Sequence, residues 1–179
     1  YTDGTFGPSR SMTRAEAAAI FARLLAEKNG DTISTAANTR FTDIPAHAWY
    51  SGYAKYLNNN GVTYGKSKTI FAPDDAITRA EFTTLAVRFF DVYGDGDEEI
   101  MEQYEGFDDV SDGYWAAEYI KDAAIHGWVE GYGDGTFRGD KTMTRYEMAQ
   151  IVAKAMAKGA NVDRLASEFA EEQIGRAHV

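Results

Sequence analysis

The chain contains no cysteine in its 179 residues. Disulfides, thiolate nucleophiles and cysteine-bound zinc are therefore excluded, and the compartment is left open. Basic charge is scarce: 18 Lys and Arg stand against 28 Asp and Glu, for a formal net charge of −10. A surface of that sign repels nucleic-acid phosphates and anionic lipid headgroups, so neither is an expected partner. No apolar run approaches the ~18 residues that would cross a bilayer, so no direct membrane insertion is expected. His47, His126 and His178 share no metal-ligand spacing, and Asp91, Asp95 and Asp97 miss the spacing of a calcium loop. Gly131-x-Gly133-x-Gly135 lacks both the preceding strand and the lysine of a phosphate loop. No nucleophile–base pair emerges either. No catalytic residue, metal or cofactor is expected in this segment.

What the chain does have is 44% hydrophobic residues, 13% of all residues being aromatic, enough for a packed core. It also repeats itself. Met12-Thr13-Arg14-Ala15-Glu16 recurs as Ile77-Thr78-Arg79-Ala80-Glu81 and as Met143-Thr144-Arg145-Tyr146-Glu147, at offsets of 65 and 66 residues. Phe6, Phe71 and Phe137 precede the three arginines at one distance. In each motif the threonine and the glutamate three residues later have the spacing of a capping box, which starts a helix. Behind it lies one apolar helical face: Ala17, Ile20, Phe21, Leu24 and Leu25, then Phe82, Leu85, Ala86, Phe89 and Phe90, then Met148, Ile151, Val152, Ala155 and Met156.

Ahead of the second and third motifs stand Phe41-Thr42-Asp43 with Trp49, and Phe107-Asp108-Asp109 with Trp115. A helix is expected from about Trp49 to Asn60, ending at Gly61, and an equivalent one ends at Gly127. The expected organisation is a half repeat over 1–28, full repeats over 41–92 and 107–158, a helical extension over 159–173 and a non-native tail over 174–179. The opening residues match the middle of the third repeat, so the chain is expected to begin within a repeat.

Phe-x-Asp, Trp, Gly, Gly-Asp-Gly-Thr-Phe and Thr-Arg-Ala-Glu, in that order, resemble the surface-layer homology (SLH) repeat. The resemblance implies a mainly α fold of helix–loop–helix units packed about a pseudo-threefold axis. It further implies non-covalent anchoring to the bacterial cell wall, through a secondary cell-wall polysaccharide, in many members pyruvylated, held in grooves between repeats. The third copy departs from this pattern. Tyr146 replaces alanine, Gly139 stands where Pro8 and Pro73 do, and the run from Thr144 to Gln150 resembles SLH segments of outer-membrane anchoring proteins, whose ligand is decorated peptidoglycan. The second copy departs too, with Ser67-Lys68-Thr69-Ile70 in the loop. The location implied is the cell wall or S-layer, or the periplasmic face of a diderm envelope. A structural or oligomerising stalk is the reading from another class, and any catalysis would belong to a domain elsewhere in the parent protein.

Residue by residue, Thr13, Glu16, Thr78, Glu81, Thr144 and Glu147 are read as helix caps. Arg14, Arg79 and Arg145 are unfavourably placed against the positive helix end. They are read as ligand contacts aided by free helix N–H groups, or as partners of Asp43, Asp109 or a motif glutamate. Trp49 and Trp115 either stack on a sugar or plug the core. Asp43 and Asp109 either bind sugar hydroxyls or cap a turn. Phe6, Phe71 and Phe137 are read as core.

Overall fold

The computed structural model describes residues 7–93 and 104–157. Phe6, the expected helix over 159–173 and the tail over 174–179 lie outside the described residues. Five helices occur among the described residues: α1 (Arg14–Asn29), α2 (Ser51–Asn59), α3 (Arg79–Tyr93), α4 (Ala117–Ile125) and α5 (Arg145–Ala157).

The capping boxes start α1, α3 and α5. Thr13 Oγ1 accepts from Glu16 N at 3.2 Å, and Thr13 N donates to Glu16 Oε2 at 2.8 Å. Thr78 and Glu81 repeat the exchange at 3.3 and 3.0 Å, and Thr144 and Glu147 at 3.2 and 2.8 Å. Each box satisfies the third N–H of its helix, leaving the first two to find acceptors.

Those two donate to the neighbouring repeat. Arg14 N bonds Asp75 O, Arg79 N bonds Lys141 O, and Arg145 N bonds Arg10 O, each at 2.9 Å. One residue on, Ala15 N bonds Pro73 O, Ala80 N bonds Gly139 O and Tyr146 N bonds Pro8 O, at 3.0, 2.9 and 3.2 Å. Repeat one thus leans on two, two on three, and three on one. Short antiparallel bridges close the same ring, pairing Thr13 with Ala76, Thr78 with Thr142 and Ser11 with Thr144. Met12, Ile77 and Met143, one from each repeat, are all buried. The three units therefore meet about a pseudo-threefold axis, as the resemblance implied, and the fold is mainly α.

Around this ring the expected apolar faces of α1 and α3, and Met148, Ile151, Val152 and Ala155 of α5, are buried. Phe21 of α1 packs on Phe82 and Phe89 of α3 at centroid distances of 5.8 and 4.9 Å, and Phe90 meets Trp128 at 4.7 Å. The paired helices come from adjacent repeats: α2 packs on α1 and α4 on α3. The two shorter helices start later than expected. Ala48 N bonds Pro45 O and Ser51 N bonds Ala48 O in turns ahead of α2, so Trp49 precedes the helix. Gly61 and Gly127, with φ of 77° and 68°, lie just past the ends of α2 and α4.

Replacing Thr78 by alanine removes one half of the α3 capping box. The expected cost is about 1 kcal/mol, seen as a lower urea midpoint with an unchanged m-value.

Candidate functional site

The first three N–H groups of α1, α3 and α5 all have protein acceptors, so the helix ends offer no free donors to an anion. This corrects the expectation that such donors would assist the motif arginines. The Arg14 side chain is itself engaged. It is 8% exposed, its Nε donates to Phe71 O at 2.8 Å, and its Nη1 lies 3.1 Å from Glu81 Oε1. Glu81 divides its carboxylate, one oxygen capping α3 and the other meeting the arginine of the preceding repeat. That pairing answers the unfavourable position of Arg14 at a positive helix end. Arg79 repeats the theme differently. Its Nη2 donates to Glu130 O at 2.6 Å and its Cζ lies 4.6 Å from the Phe137 ring and 5.4 Å from that of Tyr132. Burial pulls its pKa below the usual guanidinium range, opposed by the nearby Tyr132 and Glu147. Arg145 is buried, at 5% exposure.

Asp43 and Asp109 lie under the loops that carry the buried phenylalanines. Asp43 accepts from Phe71 N at 2.9 Å and from Ala72 N at 2.6 Å, and Asp109 accepts from Phe137 N and Arg138 N at 2.6 and 2.7 Å. Ala72 and Arg138 hold φ of 57° and 58°, a left-handed conformation that costs free energy outside glycine, and the carboxylates compensate. Both carboxylates are taken up by loop backbone.

Trp49 and Trp115 are 46% and 55% exposed, which sets aside the core-plug reading. Trp128, which the repeat pattern does not single out, fills the core instead.

The loop departures also find physical reasons. In repeat two, Ser67 Oγ accepts from Thr69 N and Ile70 N at 3.4 and 3.2 Å, and in repeat three Asp134 Oδ1 accepts from Thr136 N at 3.2 Å. Different side chains thus hold equivalent turns. At Gly139 a Cβ would sit 2.6 Å from the Tyr114 hydroxyl. The position equivalent to Tyr114 in repeat two is Ala48, which leaves room for Pro73.

Where α1, the loop of repeat two, α3 and the turn ahead of α4 converge, a cavity of about 420 Å³ opens. Arg14, Lys66, Arg88, Glu81, Trp115 and Asp140 contribute to its wall. Lys66 Nζ pairs with Asp75 at 2.6 Å and lies 3.7 Å from Glu81. Sequence reading found Arg14 and Trp115 but missed Lys66 and Arg88. A signal for Arg88 existed: Arg23, Arg88 and Lys154 share one register across the three long helices.

The equivalent junction between repeats two and three has different chemistry. Tyr132 occupies the place of Lys66 and Lys141 that of Asp75, so the cation has moved to the other side of the pair. Lys141 Nζ donates to Tyr132 OH at 3.0 Å and to Glu147 Oε1 at 2.8 Å. Burial raises the Glu147 pKa, but the bonds from Lys141 and Thr144 outweigh it and leave the group below its ordinary value of 4.5.

A repeating Thr-Arg-x-Glu unit closed into a threefold ring suits one family, and the S-layer homology domain matches residues 1–18, 40–83 and 106–149, more than half of the chain. The chain belongs to the S-layer homology domain family. Among its SLH-bearing relatives, cell surface glycoprotein 1 of Acetivibrio thermocellus is 34% identical over 166 residues, covering 89% of this chain and 7% of that protein. The cellulosome-anchoring protein of the same organism is 31% identical over 161 residues, covering 89% of this chain and 35% of the relative. An amylopullulanase of Thermoanaerobacterium thermosulfurigenes is 31% identical over 161 residues, covering 90% and 8%. The chain thus spans about a third or less of the length of these relatives.

Three expectations follow for this SLH segment. Arg14→Ala removes the nearer cation from Glu81 at a nearly buried site, leaving Lys66 at 3.7 Å, and should cost about 2 kcal/mol, measured by urea unfolding; an unchanged midpoint would contradict the inter-repeat role. Gly139→Pro should cost about 1 kcal/mol by overpacking against Tyr114, and the Tyr114→Ala/Gly139→Pro double variant should recover most of it. The depressed Glu147 pKa stabilises the fold above pH 4.5, and that contribution is lost as pH falls through the lower folded value. Glu147→Gln should therefore flatten the acid limb of a stability–pH profile.

Proposed function

We propose that this SLH segment is a non-covalent anchor that holds its parent protein to the bacterial cell wall by binding a cell-wall glycan. The observation that carries the reading is the cavity beside Arg14, with cations in its wall and the half-exposed Trp115 at its rim. An aromatic face presented to solvent suits the apolar face of a sugar ring, and charged donors beside it suit an acidic substituent. The name of the cellulosome-anchoring relative points the same way. The polymer is a secondary cell-wall polysaccharide, pyruvylated or not, with decorated peptidoglycan as the alternative favoured by the sequence around Tyr146. The bound protein would lie at the cell surface, in the wall or S-layer, with the periplasmic face of a diderm envelope as the second location.

Binding in more than one groove would raise avidity by ~10²–10⁴ where geometry permits simultaneous engagement. No catalytic step is assigned to this segment, and any enzyme activity belongs to other domains of the parent protein.

Sedimentation with purified wall sacculi tests the reading. Trp115→Ala, at an exposed position that leaves the core intact, should weaken binding about tenfold. Undiminished binding by the folded variant would remove this cavity from the account. Light scattering of the same samples separates anchoring from a stalk role, since a monomer that sediments with sacculi supports anchoring alone. Pyruvylated polysaccharide and decorated peptidoglycan, offered in parallel, identify the polymer.

A further inference from the structure

Two tyrosine rings from different repeats hold one arginine. Arg88 lies on α3, and its Cζ is 4.7 Å from the ring of Tyr64 in repeat two and 4.5 Å from the ring of Tyr119 on α4. Its Nη2 donates to Tyr119 OH at 2.9 Å, and its Nε is buried. The guanidinium is thus engaged by the protein itself. The pairing with a tyrosine recurs one repeat earlier. Arg23 of α1 donates from Nε to Tyr53 OH of α2 at 3.4 Å, with its Cζ 5.1 Å from that ring. In both cases the tyrosine stands four residues after a half-exposed tryptophan, Tyr119 after Trp115 and Tyr53 after Trp49. The Trp49 and Tyr53 rings meet edge-on at 6.4 Å. Repeat three differs, since Lys154 occupies the arginine register and pairs with Glu130 at 2.8 Å.

Burial of Ile120 and Ala123 seats α4 on α3, but apolar burial has no direction and does not fix how the helix is turned. A hydrogen bond and a cation over a ring face do have direction. They set the rotation of the first turn of α4, and with it the place of Trp115, two residues ahead of that helix. Beside Trp115, Tyr114 donates its hydroxyl to Asp140 at 3.1 Å, a contact within repeat three. The Arg88 contact instead crosses to repeat two.

We propose that Arg88 is a positioning residue: through Tyr119 it sets where Trp115 stands at the cavity rim, and it does not itself touch the glycan. The proposal rests on the glycan-binding reading and goes beyond it. It assigns the geometry of the aromatic rim to a helix position outside the Thr-Arg-x-Glu motif. Arg23 and Tyr53 form the matching staple beside Trp49.

The test uses the 179-residue chain. In a Trp49→Phe background, Trp115 is the exposed tryptophan beside buried Trp128, so quenching by acrylamide, which carries no charge, reads Trp115. Arg88→Met, checked as folded by circular dichroism, should raise that quenching. With Trp49 restored, it should weaken sedimentation with purified wall sacculi about threefold. In a Trp115→Ala background the same substitution should weaken binding no further, because the contact it positions is already gone. Arg88→Lys keeps a cation for the rings without the planar fork and should fall between wild type and Arg88→Met in both readouts. Tyr119→Phe, which removes the accepting hydroxyl and keeps the ring, carries the same two measurements where Arg88→Met does not fold, with smaller changes of the same sign. Unchanged quenching in the folded variant would overturn the assignment, since Trp115 would not have moved. So would an equal loss of binding with and without Trp115, since Arg88 would then act by another route. A wild-type chain that does not sediment with sacculi would instead overturn the glycan reading, while the quenching comparison would still decide whether Arg88 places Trp115.

Discussion

The structure depends on how the ends of three helices satisfy their own backbone. An α-helix leaves its first N–H groups without intrahelical acceptors, and burying them unpaired is costly. Here the third N–H of each long helix is met by its threonine, while the first two reach carbonyls of the neighbouring repeat. Because the third unit donates back to Arg10 and Pro8, the requirement is met only when the ring closes. Helix initiation and repeat association are thus one event. The apolar faces of α1, α3 and α5 then have a common interior to fill, and the phenylalanines of α1 and α3 interlock there.

That constraint decides which residues remain available to a ligand. Arg14 looks like a recognition group when the motif is read alone, but the ring engages it through Glu81, which is a cap and a counter-ion at once. Asp43 and Asp109 are likewise absorbed in holding Ala72 and Arg138 at positive φ. Outside the repeated motif, the cavity wall draws on the loop lysine Lys66 and on α3 beyond its first turn. The two junctions diverge for the same reason. Exchanging Lys66 and Asp75 for Tyr132 and Lys141 leaves the ring intact while it changes the wall beside the arginine.

Much of this architecture was legible in the chain, because the signals involved are local. Thr78 and Glu81 are three residues apart, and their exchange of hydrogen bonds needs only helical geometry. The apolar positions of α1 and α3 recur with the helical period, and an exact recurrence at 65 and 66 residues announces units that share a core. The family followed from the order of those motifs. The mainly α fold and its threefold arrangement came with it.

Other features were decided by tertiary structure, since they join residues that no spacing rule connects. Arg14 reaches Phe71, 57 positions away, and Asp43 reaches Phe71 and Ala72 at separations of 28 and 29. The exposure of Trp115 depends on α4 starting two residues after it, and Gly139 makes sense only beside Tyr114. The cavity exists because α1, α3, one loop and the turn ahead of α4 converge. Short-range hydrogen bonds and helical periodicity determined the elements and their repetition. Which charges those elements leave uncompensated was settled only when the ring closed, since pairing between distant groups depends on the packing that brings them together.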